Sequence, residues 1–133
     1  MIVADTNLIA YLLIKGQFTE RAVMVYTQDP NWVAPRLWQS EFRNVLGVQL
    51  RRGLLELDDA LDIMEQAEQL IKGQEFEIVS PRVLRLAVAS GCSTYDCEFV
   101  ALAQELAVPL VTSDTALLEK FNLIAVSMDD FCS

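Results

Sequence analysis

Histidine is absent from this chain of 133 residues. Its absence excludes catalytic triads and dyads that use an imidazole base, and it excludes zinc sites with histidine ligands. The three cysteines, Cys92, Cys97 and Cys132, form neither an even set nor a C-x-x-C pair, so we interpret them as small thiols without a catalytic role. Any chemistry must therefore depend on carboxylates, hydroxyls, Lys or Arg side chains, or a bound ion.

Long apolar runs are also missing. The longest uninterrupted run, residues 8–14, is about a third of a membrane span. The first residues are apolar rather than basic, so no secretory signal is apparent. We therefore expect a cytoplasmic protein without a membrane segment. The length and the 53% hydrophobic content predict one domain, residues 1–133, with an extensive core.

Basic residues are scarce, since 10 Lys and Arg against 19 Asp and Glu give a net charge of −9. This balance disfavours nucleic acid, whose phosphates bind cationic side chains. The charge is unevenly distributed, however. Residues 55–77 contain eight acids and one base, which is typical of a solvated helix face. Four arginines instead lie in or beside one predicted helix: Arg36, Arg43, Arg51 and Arg52.

Short apolar segments alternate with amphipathic segments along the chain. The predicted strands are residues 2–4, 32–34, 76–79, 109–112 and 123–126. The predicted helices are residues 7–14, 19–29, 35–53, 58–73, 80–91, 95–107 and 114–121. Pro35 is expected at the first position of the third helix, where its missing N–H has no consequence. Alternating strands and helices imply right-handed crossovers and a parallel sheet covered on both faces.

Glu41 lies in an apolar stripe of the third predicted helix. It comes one turn after Leu37 and one turn before Val45, on a face that is otherwise apolar. A lone ionised carboxylate is prohibitively costly to bury, so Glu41 must be protonated, paired or able to reach water. A helix rotated so that Glu41 meets solvent is the purely structural alternative.

Three aspartates occur where predicted strands end or helices begin. Asp5 directly follows the first strand, Asp114 follows the fourth by two residues, and Asp96 lies in the first turn of the sixth helix. In parallel α/β sheets, ligands bind at the carboxyl ends of the strands near a topological switch point. Each aspartate also fits a helix cap, so a purely structural role is the alternative interpretation.

The four acids together predict a cation site. Carboxylates gathered without compensation would have strongly raised pKa values. A hard divalent cation, Mg²⁺ or Mn²⁺, removes this conflict, because all the available ligands are oxygens. Such an ion attracts phosphate oxygens, so it would also allow an acidic pocket to bind a polyanion.

Four motifs resemble those of the PIN domain family: Ile-Val-Ala-Asp-Thr-Asn at 2–7, Ser-Glu-Phe at 40–42, Ser-Thr-Tyr-Asp at 93–96 and Leu-Val-Thr-Ser-Asp at 110–114. The greatest similarity is to single-domain VapC-type toxins of toxin–antitoxin pairs. The resemblance implies a three-layer α/β/α fold with a parallel five-stranded sheet, and a Mg²⁺- or Mn²⁺-dependent endoribonuclease acting on RNA. It also implies an antitoxin partner, and the high apolar content suits the family's habit of forming homodimers.

The resemblance also assigns roles to individual residues. Asp5 and Asp96 would be the principal metal ligands, and Glu41 and Asp114 would bind the metal directly or through water. The supporting polar residues beside these acids would be Thr6, Asn7, Thr112 and Ser113. Metal-assisted phosphodiester hydrolysis is the implied reaction. The candidate residues for binding RNA phosphates are Arg43, Arg51 and Arg52, although surface arginines also serve simply as solubilising charge.

Two further expectations concern Tyr95 and the competing functions. We interpret Tyr95 as a packing aromatic rather than a platform for an RNA base. The competing functions are a housekeeping PIN-type nuclease of RNA maturation, an inactive PIN-like interaction module, and a Mg²⁺-dependent phosphoryl-transfer domain. The last is disfavoured because no lysine follows Lys120, where a receiver domain needs one, and because Asp5-Thr6-Asn7 departs from the Asp-x-Asp of dehalogenase-type enzymes.

Overall fold

Five short strands form the sheet at the centre of the molecule. The computed structural model describes residues 1–133, and all its strand pairs are parallel, in the order β3-β2-β1-β4-β5. The strands are β1 (Ile2–Ala4), β2 (Trp32–Pro35), β3 (Glu75–Phe76), β4 (Leu110–Val111) and β5 (Ala125–Val126). The predicted parallel five-stranded sheet is confirmed.

Eight helices cover the two faces of this sheet. They are α1 (Thr6–Leu13), α2 (Thr19–Gln28), α3 (Leu37–Arg51), α4 (Leu57–Ile71), α5 (Ser80–Ser90), α6 (Thr94–Leu106), α7 (Thr115–Lys120) and α8 (Met128–Cys132). Right-handed crossovers place α1 to α4 on one face, and α5 to α7 on the other, because the chain reverses direction across the sheet after β3. Accordingly, α1 contacts α3 and α4, while α6 packs against α5 and the central strands. The three-layer α/β/α fold is confirmed.

The core continues from the sheet into both helical layers. All three residues of β1 are inaccessible to solvent, and one cluster of 26 buried apolar side chains reaches from β1 to α8. Trp38, Phe42 and Leu46 are buried at successive turns of α3. Burial of such a side chain contributes roughly 1.5–3 kcal/mol. Together the three fix the rotation of α3 about its axis, and hence the direction of its other side chains.

The third helix begins later than predicted. Pro35 does not open α3; it is the last residue of β2, in register with Phe76 of β3. The next residue, Arg36, donates its backbone N–H to the carbonyl of Phe76 at 3.1 Å. Pairing with a distant strand therefore overrides the local preference of proline for a helix start. The α3 helix begins only at Leu37.

Two other features differ from the predicted elements. The third strand is shorter than expected: the chain leaves the sheet after Phe76, and Val79, the residue before α5, is exposed. The short helix α8 was not predicted, although Ser127 caps it by accepting a hydrogen bond from the N–H of Asp130. No helix combines the length and the apolar composition that crossing a membrane would require.

Candidate active site

A cavity of about 430 Å³ opens at the carboxyl ends of β1 and β4. The chain leaves these two neighbouring strands in opposite directions across the sheet, so the cavity lies at the topological switch point. Four acids from four separate parts of the sequence line it: Asp5, Glu41, Asp96 and Asp114. The structure therefore brings together all the acids that the sequence singled out, and Glu41 is half-buried in the wall of this cavity.

Asp5 is held in place by bonds to both of its carboxylate oxygens. Its Oδ1 accepts from the backbone N–H of Asn7 at 3.0 Å, and its Oδ2 accepts from the hydroxyl of Thr112 at 2.5 Å. Burial raises the pKa of Asp5, the two hydrogen bonds lower it, and the charges of Asp96 and Asp114 raise it further. Asp5 thus caps α1 and also contributes to a cluster of like charges.

Glu41 is half-buried beside Thr6, whose hydroxyl donates to Glu41 Oε1 at 2.7 Å. The pKa of Glu41 is raised chiefly by burial, and the hydrogen bond from Thr6 lowers it. The charges of Asp5, Asp96 and Glu98 raise it in addition. Glu98, on α6, is therefore a fifth acid close to this group, and sequence reasoning did not identify it.

Asp96 and Asp114 both occur at helix starts. The Ser93 hydroxyl accepts from the N–H of Asp96 at 3.1 Å, and Asp114 Oδ1 accepts from the N–H of Leu117 at 3.0 Å. Burial raises the pKa of Asp96, as does the charge of Asp114. Helix capping and a place in the cavity are therefore compatible, since Asp114 caps α7 with one oxygen and has a second.

No basic side chain compensates the cavity acids. The ion pairs of the chain are elsewhere, joining the Met1 amino group to Asp29, Arg21 to Asp129, and Arg36 to Glu77. An uncompensated set of oxygen ligands without histidine suits a hard divalent cation. As the side chains stand, however, no three Asp, Glu or Cys groups are arranged around a common ion position. Joint coordination would therefore require side-chain rotation.

The supporting polar residues fall into two groups. Thr6 and Asn7 line the cavity. Thr112 is buried behind Asp5, to which it donates, and also accepts from the N–H of Asp114 at 3.0 Å. Ser113 is exposed and does not line the cavity, and its hydroxyl is hydrogen-bonded to that of Tyr11 at 3.1 Å.

The three candidate arginines lie away from the acids. Arg43, Arg51 and Arg52 are exposed, none forms an ion pair, and none lines the cavity. The guanidinium of Arg51 instead folds back along α3, so that a Cβ on Gly47 would lie 3.4 Å from its Nη1.

Three cavity residues were missed or misjudged from sequence. Ser40 and Asn44 line the cavity beside Glu41. Helical spacing could have identified them, because Ser40 is adjacent to Glu41 and Asn44 lies three residues after it, on the same side of α3. Tyr95 lines the cavity with its side chain 60% exposed, so the packing interpretation was wrong. Phe99, one turn later on α6, is the aromatic that is buried.

Comparison with known proteins identifies relatives over most of the chain. A family model of the PIN domain matches residues 2–122. Ribonuclease VapC3 from Pyrobaculum aerophilum is 31% identical over 123 residues, which cover 90% of this chain and 94% of the relative.

Two solved structures share the fold. The crystal structure of PAE2754 from Pyrobaculum aerophilum superposes with a TM-score of 0.78 at 21% identity, covering 98% of this chain and 92% of that one. The crystal structure of FitAcB from Neisseria gonorrhoeae gives a TM-score of 0.72 at 18% identity, with 96% and 98% covered. At these identities the two structures support the fold alone. The family match and the curated relative, taken with the fold, show that the chain belongs to the PIN domain family and is a protein of the VapC type.

Proposed function

We propose that this chain is a divalent-metal-dependent endoribonuclease and the toxin of a type II toxin–antitoxin pair, with residues 1–133 as one catalytic domain. The observation that carries the proposal is the convergence of four uncompensated carboxylates at the switch point of the sheet. Membership of the PIN domain family and similarity to a protein named a ribonuclease support it.

Asp5 and Asp96 are the proposed principal ligands of Mg²⁺ or Mn²⁺, with Glu41 and Asp114 binding directly or through water. When bound, such an ion lowers the pKa of a water molecule and offsets charge on the phosphoryl oxygens. The chain prepares the ligands for this role. Thr112 and the N–H of Asn7 hold the carboxylate of Asp5.

The cavity walls strengthen the electrostatic interactions of these acids. Apolar side chains from three helices line it: Leu37, Val45, Phe99 and Leu117. A wall of this kind keeps bulk water away from one side of the carboxylates and lowers the local dielectric constant, so charge–charge interactions inside are stronger than on the open surface. A cation and a substrate phosphate would therefore be held together more tightly here than by the exposed acids of α4.

We also propose a cognate antitoxin, a homodimer and a cytoplasmic location. Leu84 and Val88, one turn apart on α5, are 56% and 88% exposed and suit a subunit contact. A monomer at all concentrations in light scattering would contradict the dimer. Growth inhibition by the chain alone, relieved by the product of an adjacent gene, would separate a toxin from a nuclease of RNA maturation.

The direct test is cleavage of labelled RNA in Mg²⁺, Mn²⁺ or EDTA. We expect wild-type cleavage only with a metal ion, and a rate lower by roughly 100-fold or more in Asp5→Asn and Asp96→Asn, because metal ligation supplies several kcal/mol to the transition state. Asp62→Asn is the matched control, since it neutralises an exposed acid of α4. Circular dichroism should show the same fold in all four proteins.

Cleavage that is equal in wild type, Asp5→Asn and Asp96→Asn would mean a contaminating nuclease or a different site. Metal-independent cleavage that the two substitutions abolish would retain the site but refute the role of the ion.

A further inference from the structure

A second cavity of about 280 Å³ adjoins the cavity of the acids. The two share Asn7 and Val45 in their walls, so they are immediate neighbours. The second cavity follows α1, which extends roughly 9 Å from Asn7 to Leu13 at 1.5 Å per residue. A flexible chain bound at the acids would therefore have the second cavity directly beside it.

The wall of this second cavity contains no acidic residue. Lys15 is the single charged residue in its wall, and it forms no ion pair. The other sizeable cavities of the chain all include at least one aspartate. A phosphate group entering this cavity therefore meets a cation and no acidic side chain in its wall, although Lys15 also borders a neighbouring cavity that contains Asp59 and Asp62.

Free amide groups face the same space. Asn7, Gln17 and Gln49 line the second cavity, and none of their side chains makes a hydrogen bond within the chain. An amide offers both donors and an acceptor, which matches the mixed donors and acceptors on the edge of a nucleobase. An apolar peptide side chain would leave these groups without partners.

An aromatic surface is fixed beside the amides. The rings of Tyr11 and Phe18 are 4.9 Å apart at an interplanar angle of 44°. The Tyr11 hydroxyl is tied to Ser113, the residue before Asp114, at 3.1 Å. The orientation of the Tyr11 ring is therefore fixed by its contact with Phe18 and by the hydrogen bond of its hydroxyl. A ring with a fixed orientation is suited to stacking on an unpaired base.

We propose that this second cavity is a subsite for a single-stranded nucleotide next to the phosphodiester that is cleaved. The base would lie against Tyr11 with its edge toward Asn7 and Gln49, and Lys15 would bind a neighbouring phosphate. The proposal rests on the proposed ribonuclease function. It implies single-stranded RNA as the substrate, because the bases of a duplex are stacked and paired and cannot enter such a cavity.

The test measures RNA binding rather than cleavage. A labelled single-stranded oligoribonucleotide is titrated with Asp96→Asn protein in Mg²⁺ over a range of salt concentrations, and the titration is repeated with Lys15→Gln added. Loss of one phosphate contact should make the slope of log K against log salt shallower by about 0.7, which is roughly a fivefold loss of affinity at 0.1 M salt. Lys72→Gln, which removes an exposed lysine at the end of α4, should leave the slope unchanged.

A second variant examines the base rather than the phosphate. Gln49→Leu retains the charge of the cavity, so the salt slope should remain that of the parent. Relative affinities for oligomers of different base composition should change, because one edge contact is removed. Thermal unfolding of each variant verifies that the fold is retained.

Equal salt slopes for Lys15→Gln and Lys72→Gln would overturn the subsite, and so would a base preference unaffected by Gln49→Leu. If a partner protein occupies the cavity instead, the salt slope and the base preference should both be unchanged by these substitutions. Metal-dependent cleavage together with an unchanged slope would refute the subsite alone. Cleavage that is independent of Asp5 and Asp96, with a slope that Lys15→Gln still alters, would refute the proposed active site alone. No RNA binding at all would overturn both.

Discussion

Helices α3 and α4 are each 15 residues long and amphipathic, yet they present carboxylates in opposite ways. The single acid of α3, Glu41, is half-buried in the cavity. The five acids of α4 are all exposed: Asp58, Asp59, Asp62, Glu65 and Glu68. The same residue type is therefore a solvated charge on one helix and a member of a crowded, partly desolvated cluster on the other.

The difference follows from which residues of each helix are buried in the core. Large aromatic side chains, Trp38 and Phe42, anchor α3 in an orientation that places Glu41 in the wall of the cavity. The buried residues of α4 are Ala60, Ala67 and Ile71, and its acids lie on the outer side. An acid that reaches water loses no hydration, whereas one held against an apolar wall requires a partner. The pKa of Glu41 is raised accordingly.

The largest expected effect in this comparison is on the anchoring of the two helices. Phe42→Ala should lower the free energy of unfolding by about 3–5 kcal/mol, because it leaves a cavity under α3. The matched change on α4, Leu61→Ala, removes a side chain that is 57% exposed and should change stability by no more than about 0.5 kcal/mol. Urea denaturation measures both. Similar losses in the two variants would mean that α3 is not fixed by its buried face.

The second largest expected effect is the stabilisation by a metal ion, which should depend on Glu41 of α3 and not on the exposed acids of α4. At a Mn²⁺ concentration about 100 times Kd, wild type should gain about 2.7 kcal/mol of stability. Glu41→Gln should gain less at the same concentration, whereas Glu65→Gln should match wild type. In EDTA, Glu41→Gln should be as stable as wild type or more so, since a half-buried charge is removed. Marked destabilisation of Glu41→Gln in EDTA would instead indicate a structural ion pair.

The smallest effect concerns pH in metal-free buffer. Folding raises the pKa values of Asp5, Glu41 and Asp96, so the folded state binds protons more readily than the unfolded state. The stability that these groups contribute is complete below their unfolded pKa values, near pH 4, and is lost as pH rises through the raised values.

Comparison of wild type with Asp96→Asn isolates this contribution. The variant should lose less stability than wild type as pH rises. Denaturant unfolding at a series of pH values in EDTA provides the measurement. A steeper loss in Asp96→Asn than in wild type would show that Asp96 is stabilised by a favourable partner.

Several parts of the fold could be predicted because their signals are local. The apolar run of β1 is followed at once by Asp5, and the run of β4 leads within two residues to Asp114. Gly91 ends α5 with a φ of 72°, which glycine adopts readily. The start of α8 carried a local signal as well, the Ser-x-x-Asp pattern of Ser127, and sequence reasoning overlooked it.

Other parts had no local signal. Pro35 favours a helix start by its own geometry, yet pairing with β3 places it in a strand. Similarly, Tyr11 meets Ser113 across 102 positions of sequence, so no short pattern could reveal that contact. The distance of the arginines from the acids depends in the same way on how α3 is rotated.

The sequence by itself determined the order of strands and helices, the apolar stripe of α3 and the aspartates at the ends of β1 and β4, because periodicity and capping act over a few residues. Only the tertiary structure decided that Asp5, Glu41, Asp96 and Asp114 share one cavity. It also decided that Lys15 is the one charged residue in the wall of the second cavity. These placements depend on the order of the strands, the handedness of the crossovers and the buried face of α3. Each of those is set by packing between residues far apart in the chain.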